Sequence, residues 1–194
     1  MVYAVILCRC LIGVIFAVSA FTKLRSRGAF HAFASWIDEL PILPVLPGRH
    51  RTALTVSMAT TEVIIVAAVA LPWTPMAGLL LAAVTLAVFT AGTFALDRAQ
   101  AGVACQCFGA SASPLGQRDV VRNAVLCAVA AAGTALAAQR SAGSGSAHPA
   151  GIVLSLWGGA TVAMAVVFLD DLSAFFTKAA ATMDSPAMGL EGKN

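Results

Sequence analysis

The sequence predicts an all-α, multi-pass transmembrane bundle: a four-helix core, a fifth span and a short helix lying in the membrane interface. Three observations predict it. Of 194 residues, 59% are hydrophobic and only 11% are charged, against about 25% charged in a soluble domain. So few charges cannot cover a water-facing surface, and the bilayer is the expected solvent; the mean hydropathy of +0.87 agrees. Apolar runs long enough to cross roughly 30 Å of hydrocarbon recur along the chain, and polar or proline-bearing segments separate them.

The first run spans Val2 to Thr22. It lacks a basic n-region and is too long for a signal-peptide core, so it reads as a retained span. Lys23, Arg25 and Arg27 follow it and are expected among the headgroups. Gly28 to Leu40 is too short to cross but places Phe30, Phe33, Trp36, Ile37 and Leu40 at near-helical spacing, the pattern of an interfacial helix. Pro41, Pro44 and Pro47 then interrupt any helix. Thr52 to Leu71 is the second span, and Pro72 to Pro75 a tight turn whose Trp73 suits an interface. Met76 to Leu96 is the third span. Asp97 to Arg118 forms a long polar loop, and Asp119 to Ala138 the fourth span, with Asp119 favourably placed at a helix N-terminus.

The domain plan is therefore a membrane domain over residues 1–140, a flexible linker over 141–150 (Gln139 to Ala150 reads QRSAGSGSAHPA), a further span over 151–170, and a polar tail over 171–194 expected to be poorly ordered. Small residues are frequent in every span and let helices approach closely. The net charge of +3 fits membrane topology, and with no basic block interleaved with aromatics no nucleic-acid partner is expected. The partner that composition does imply is the lipid bilayer.

Alternating the spans puts residues 23–51, the 97–119 loop and the tail on one face. Ten of the twelve Lys and Arg residues fall there, leaving Arg9 and Arg140 for the other half. The positive-inside rule makes that face cytoplasmic, and a multi-pass protein of the plasma (inner) membrane is expected.

Chemistry concentrates in Cys105-Gln106-Cys107-Phe108-Gly109. Sulfurs spaced C-x-C close only a small, strained ring, and strained disulfides are more oxidising than relaxed ones. That favours a catalytic or relay pair over a structural clamp. Arg98, Arg118 and Arg122 lie near enough in sequence to favour thiolate. The same thiols also suit a soft metal such as Cu(I), so a metal carrier is an alternative, as is a non-catalytic scaffold for an oxidoreductase. Cys8 and Cys10, two residues apart on a helix, point to different sides and read, with Cys127, as small hydrophobes.

Glu62 lies near the middle of the second span, where an ionisable group is costly unless paired. Arg9 lies about a third of the way into the first span. Helix-rise arithmetic puts the two within roughly one turn of each other in height and predicts that they pair, with register or function as the result. Arg122 and Asn123 open the fourth span and can cap or orient the cysteine loop; snorkelling is the plainer reading of Arg122, and of Lys23 as well. His31, His50 and His148 form no ligand spacing, and no phosphate loop, nucleophile elbow or H-E-x-x-H motif is present.

Taken together, these residues resemble the methylamine-utilisation MauE membrane proteins, a group related to DoxX. The resemblance rests on Arg9 with Leu11, Gly13 and Phe16 running to Lys23-Leu24, on Leu40-Pro41, on Glu62, and on Cys105-Gln106-Cys107-Phe108-Gly109 followed by Arg122-Asn123. It covers roughly residues 5 to 140. It implies a helical bundle whose Cys105 and Cys107 exchange thiols, with Arg9, Lys23, Glu62, Arg122 and Asn123 shaping the site. It also implies a role beside a thioredoxin-like protein, or another thiol–disulfide protein, in maturing an exported, disulfide-rich dehydrogenase subunit. By architecture the chain is similar to quinone-linked thiol oxidoreductases of the vitamin K epoxide reductase type, an analogy only. A quinone is accordingly a candidate electron acceptor, although no motif demands a cofactor.

Overall fold

In the computed structural model the described residues are 1–38, 48–99, 117–140 and 148–183, with 48, 140 and 169–183 described by their backbone alone. Among them every element is a helix: α1 (Val2–Leu24), α2 (Arg27–Asp38), α3 (Gly48–Ala70), α4 (Pro75–Arg98), α5 (Gln117–Arg140) and α6 (Pro149–Met183). Five of these, all but α2, contain a stretch long and apolar enough to cross a membrane. The all-α, multi-pass architecture expected from composition is thus the one observed.

α1 occupies the centre and touches each of the other five helices. α3, α4 and α5 pack beside it, α4 lying between α3 and α5, whereas among the described residues α6 packs on α1 alone. The core is built from Ile12, Ile15 and Phe16 of α1, Ile65 and Val69 of α3, Leu79 and Leu86 of α4, and Leu126 of α5. The outward faces are equally apolar: Val63, Ile64, Val84, Val88, Leu154 and Trp157 are exposed. In water such a surface would aggregate; against lipid it is matched.

Glycines let backbones meet. A Cβ on Gly78 would lie 2.8 Å from the α3 backbone at Ala68 and Val69, and one on Gly159 would lie 2.8 Å from Cys10 Cβ and 2.9 Å from the Leu7 carbonyl. Dispersion and close contact, not hydrophobicity, hold helices together inside lipid, so these crossings matter.

The short helix α2 begins where Ser26 Oγ accepts the Ala29 N–H at 3.1 Å, an N-cap bond. It buries Phe33 and Ile37, one turn apart, against α1 and α3, and stacks Phe33 on Trp36. Arg51 reaches Asp38 at 3.4 Å, a partly exposed pair that ties the end of α2 to α3. α4 starts with Thr74 at its N-cap and Pro75 in its first turn, where a missing N–H costs nothing. α6 runs past Asp170 to Met183, further than the expected end of its span; the run from Leu172 to Met183 consists largely of good helix formers. The last residues of the expected linker, from Pro149, likewise belong to α6.

Candidate functional site

The residues singled out in the sequence divide between the two ends of the bundle. Toward one end, where the last turns of α1 run beside the middle of α3, Glu62 is 1% exposed and Lys23 5% exposed. Lys23 Nζ and Glu62 Oε1 form an ion pair. Ser19, one turn before Lys23 on the same face of α1, donates its hydroxyl to Glu62 Oε1 at 3.0 Å and accepts from Lys23 Nζ at 3.1 Å. The Lys23 ammonium also lies over the Phe33 ring, 4.7 Å from its centroid, a cation–π contact that strengthens when water is excluded. α1, α3 and α2 therefore converge on a single buried charge cluster. Among the described residues Glu62 Oε2 has no hydrogen-bond partner.

This overturns two expectations. Lys23 does not extend to the headgroups; it turns inward, where Glu62 and Ser19 on the facing and preceding turns hold its ammonium. Nor does Arg9 reach Glu62. It sits at the other end, donating from Nε and Nη2 to the Val69 carbonyl at 2.9 and 2.7 Å, and from Nη2 to Ala70 at 3.2 Å and Leu71 at 2.9 Å. Thr74 donates to the Ala68 carbonyl at 2.8 Å. Together they satisfy the terminal carbonyls of α3, groups that a helix leaves orphaned and lipid cannot solvate. Arg9 and Glu62 differ in height because α3 ends alongside Arg9, a third of the way along α1, and not level with the start of α1, so that its last turn, and not Glu62, lies at the height of Arg9. Seven residues separate Glu62 from Val69, about 10 Å of rise.

Arg122 and Asn123 lie in the second turn of α5. Arg122 Nη2 is 3.5 Å from Asp119 Oδ1, an i,i+3 pair favoured near a helix N-terminus. Asn123 is 3% exposed, and its Nδ2 has no hydrogen-bond partner among the described residues. A buried amide donor without a partner costs roughly 1–3 kcal/mol. Cys105 and Cys107 lie outside the described residues; of the helices that precede and follow them in sequence, α4 ends and α5 begins at the Lys23 end of the bundle.

Cys8, Cys10 and Cys127 are free thiols. Cys8 meets Gly133 of α5, whereas Cys10 meets Gly159 and donates to the Leu156 carbonyl of α6 at 3.2 Å. Cys127 donates to the Ala83 carbonyl at 3.4 Å. Their packing on different helices fits the reading of small hydrophobes. Ser19 was not foreseen; its signal is the Ser19-x-x-x-Lys23 spacing, which puts a hydroxyl and an ammonium on one helix face.

Membrane-length helices around a central α1, with two spans and an interfacial helix closing over a lysine–glutamate pair, define a polytopic helical membrane protein. The chain belongs to the family described as methylamine utilisation protein MauE, which matches residues 1–137. That segment takes in α1 to α4, nearly all of α5, and both residues of the Cys-x-Cys pair. No curated protein and no solved structure matches the chain. Membership makes it a membrane protein of a family associated with methylamine utilisation.

Proposed function

We propose that the chain is a plasma-membrane thiol–disulfide redox protein that assists maturation of, or electron transfer to, a partner protein through Cys105 and Cys107. The observation that carries this reading is a Cys-x-Cys pair inside the segment that matches the MauE family. The Lys23–Glu62 cluster and the start of α5 at the same end of the bundle support it. In the oxidising direction, a partner thiolate attacks the closed Cys105–Cys107 disulfide and forms a mixed disulfide. The partner's second thiolate then displaces the chain's sulfur. The partner gains a disulfide, the pair becomes a dithiol, and two electrons with two protons have moved. A thioredoxin-like protein is the partner that chemistry fits, and a membrane quinone is the acceptor class that would restore the disulfide.

Single variants test it. With Cys105→Ser or Cys107→Ser one sulfur remains and cannot resolve an intermediate. At least one variant is expected to accumulate a reductant-sensitive covalent adduct with a second protein in cells, visible on non-reducing gels. If neither variant forms an adduct, the mechanism is lost. Metal analysis of the purified wild type and Cys107→Ser separates a thiolate metal carrier from a redox pair.

A further inference from the structure

α1, α3, α4 and α5 form a ring in which each helix packs on the next and α5 returns to α1. Inside that ring polarity is confined to one half. Of the seven polar or charged side chains buried among the described residues, six lie toward the Lys23 end: Ser19, Lys23, Thr55, Glu62, Thr93 and Asn123. Polar groups turned into a membrane bundle are costly, and facing helices build ligand sites from them.

Three of these residues form a layer. Cys8 of α1 meets Gly133 of α5, which runs in the opposite direction. Ser19 follows Cys8 by eleven residues and Asn123 precedes Gly133 by ten, so both lie about 15 Å nearer the Lys23 end. Ser19 is bonded to Glu62, which brings α3 to the same height. Asn123 continues the buried stripe of Leu126 and Ala130, and Glu62 that of Ala59 and Ile65. One turn deeper, three residues from Ser19, Glu62 and Asn123 in turn, lie Phe16, Ile65 and Leu126 of the apolar core. A polar layer rests on an apolar one.

Two atoms of the polar layer have no hydrogen-bond partner among the described residues: Glu62 Oε2, an acceptor, and Asn123 Nδ2, a donor. The Glu62 charge is matched by Lys23, and Arg122 beside Asn123 lies against Asp119. What is left over is hydrogen-bonding capacity in both senses, without an unmatched charge. Its complement is a neutral group that donates and accepts, carried on an apolar body that suits the layer below.

We propose that this layer binds the ring of a membrane hydroquinone, one hydroxyl donating to Glu62 Oε2 and a ring oxygen accepting from Asn123 Nδ2. The ligand's role in reoxidising Cys105 and Cys107 rests on the thiol–disulfide reading; its binding does not. In that reading the quinone takes two electrons and two protons from the dithiol, the disulfide is restored, and hydroquinone is the product. The site holds that product by the hydroxyls it has gained.

The test uses the full-length protein in neutral detergent, without oxygen, and duroquinol, whose fully substituted ring does not add thiols. Duroquinol is expected to raise the unfolding midpoint by about 3 °C. Its dimethyl ether, with no hydroxyl to donate, is expected to leave the midpoint unchanged. Asn123→Leu removes the orphaned donor at nearly constant volume; it is expected to keep the stability of the ligand-free protein and to lose the shift. Lys23→Met combined with Glu62→Leu is expected to lose it too, and carries the comparison if Asn123→Leu does not fold. No shift in the wild type overturns the proposal and leaves water to both atoms. A shift that survives Asn123→Leu, or an equal shift with the ether, overturns it as well. With Cys105→Ser and Cys107→Ser combined the shift is expected to persist, and its loss there counts against the site. A chain that responds to duroquinol yet forms no covalent adduct keeps the site and loses the thiol mechanism.

Discussion

At the scale of residues, the Lys23–Glu62 pair dominates. Each charge is nearly fully buried, so removing one leaves the other without compensation. Breaking such a pair on one side costs about 3–5 kcal/mol, whereas replacing both partners by apolar groups is often neutral. Lys23→Met is therefore expected to destabilise the detergent-solubilised protein strongly in thermal unfolding, and Lys23→Met combined with Glu62→Leu to recover most of the loss. A double variant that is stable yet fails to support maturation of the partner assigns the pair a functional part. Recovery of both stability and function makes it a register device. Glu62 was legible in the sequence because a lone carboxylate stands out within an apolar run. Its partner was not. Arg9 and Lys23 both looked eligible, and the choice between them rests on how α3 is staggered against α1, which residue spacing does not encode.

At the scale of elements, small residues are not equivalent, and two glycines of α4 show it. Gly78 faces the α3 backbone so closely that any Cβ meets main-chain atoms, which cannot swing aside. Gly92, on the same helix, has nothing within 4 Å of the corresponding position. Gly78→Ala is expected to cost about 1–3 kcal/mol by forcing α3 and α4 apart. Gly92→Ala is expected to be neutral or to stabilise by up to about 1 kcal/mol through helix propensity. Unfolding of the two variants side by side checks the contrast. The spans themselves were legible, since a long apolar run admits few structures in lipid, and the interfacial helix was legible from the spacing of Phe33 and Ile37. The continuation of α6 to Met183 was not, because the charged and polar residues beyond Leu169 look like an exit from the membrane. An exit from lipid does not require an exit from the helix.

At the scale of the whole molecule, the fold assigns each basic residue to an end. α1 and α6 start together, tied where the His148 N–H donates to the Tyr3 hydroxyl at 3.0 Å, so α6 leads the chain back toward the Lys23 end. Arg25, Arg27, Arg51, Arg98, Arg118 and Arg122 lie at that same end, on α1's terminus, α2, and the adjoining ends of α3, α4 and α5. Arg9 and Arg140 belong to the other. Lys23 is neutralised within the bundle and carries less weight in the asymmetry than its count implies, yet the remaining excess is large. Orientation follows the cations flanking spans, so the end where α4 finishes and α5 starts is expected to face the cytoplasm. With Cys8, Cys10 and Cys127 replaced by Ala, a membrane-impermeant maleimide should leave Cys105 and Cys107 unlabelled in intact cells and label them after permeabilisation. A reporter thiol from Ser144→Cys, between α5 and α6, should behave in the reverse way. The opposite pattern would put the pair where exported proteins fold. It would also mean that the arginines at this end act on a partner or on the thiols strongly enough to override their effect on insertion.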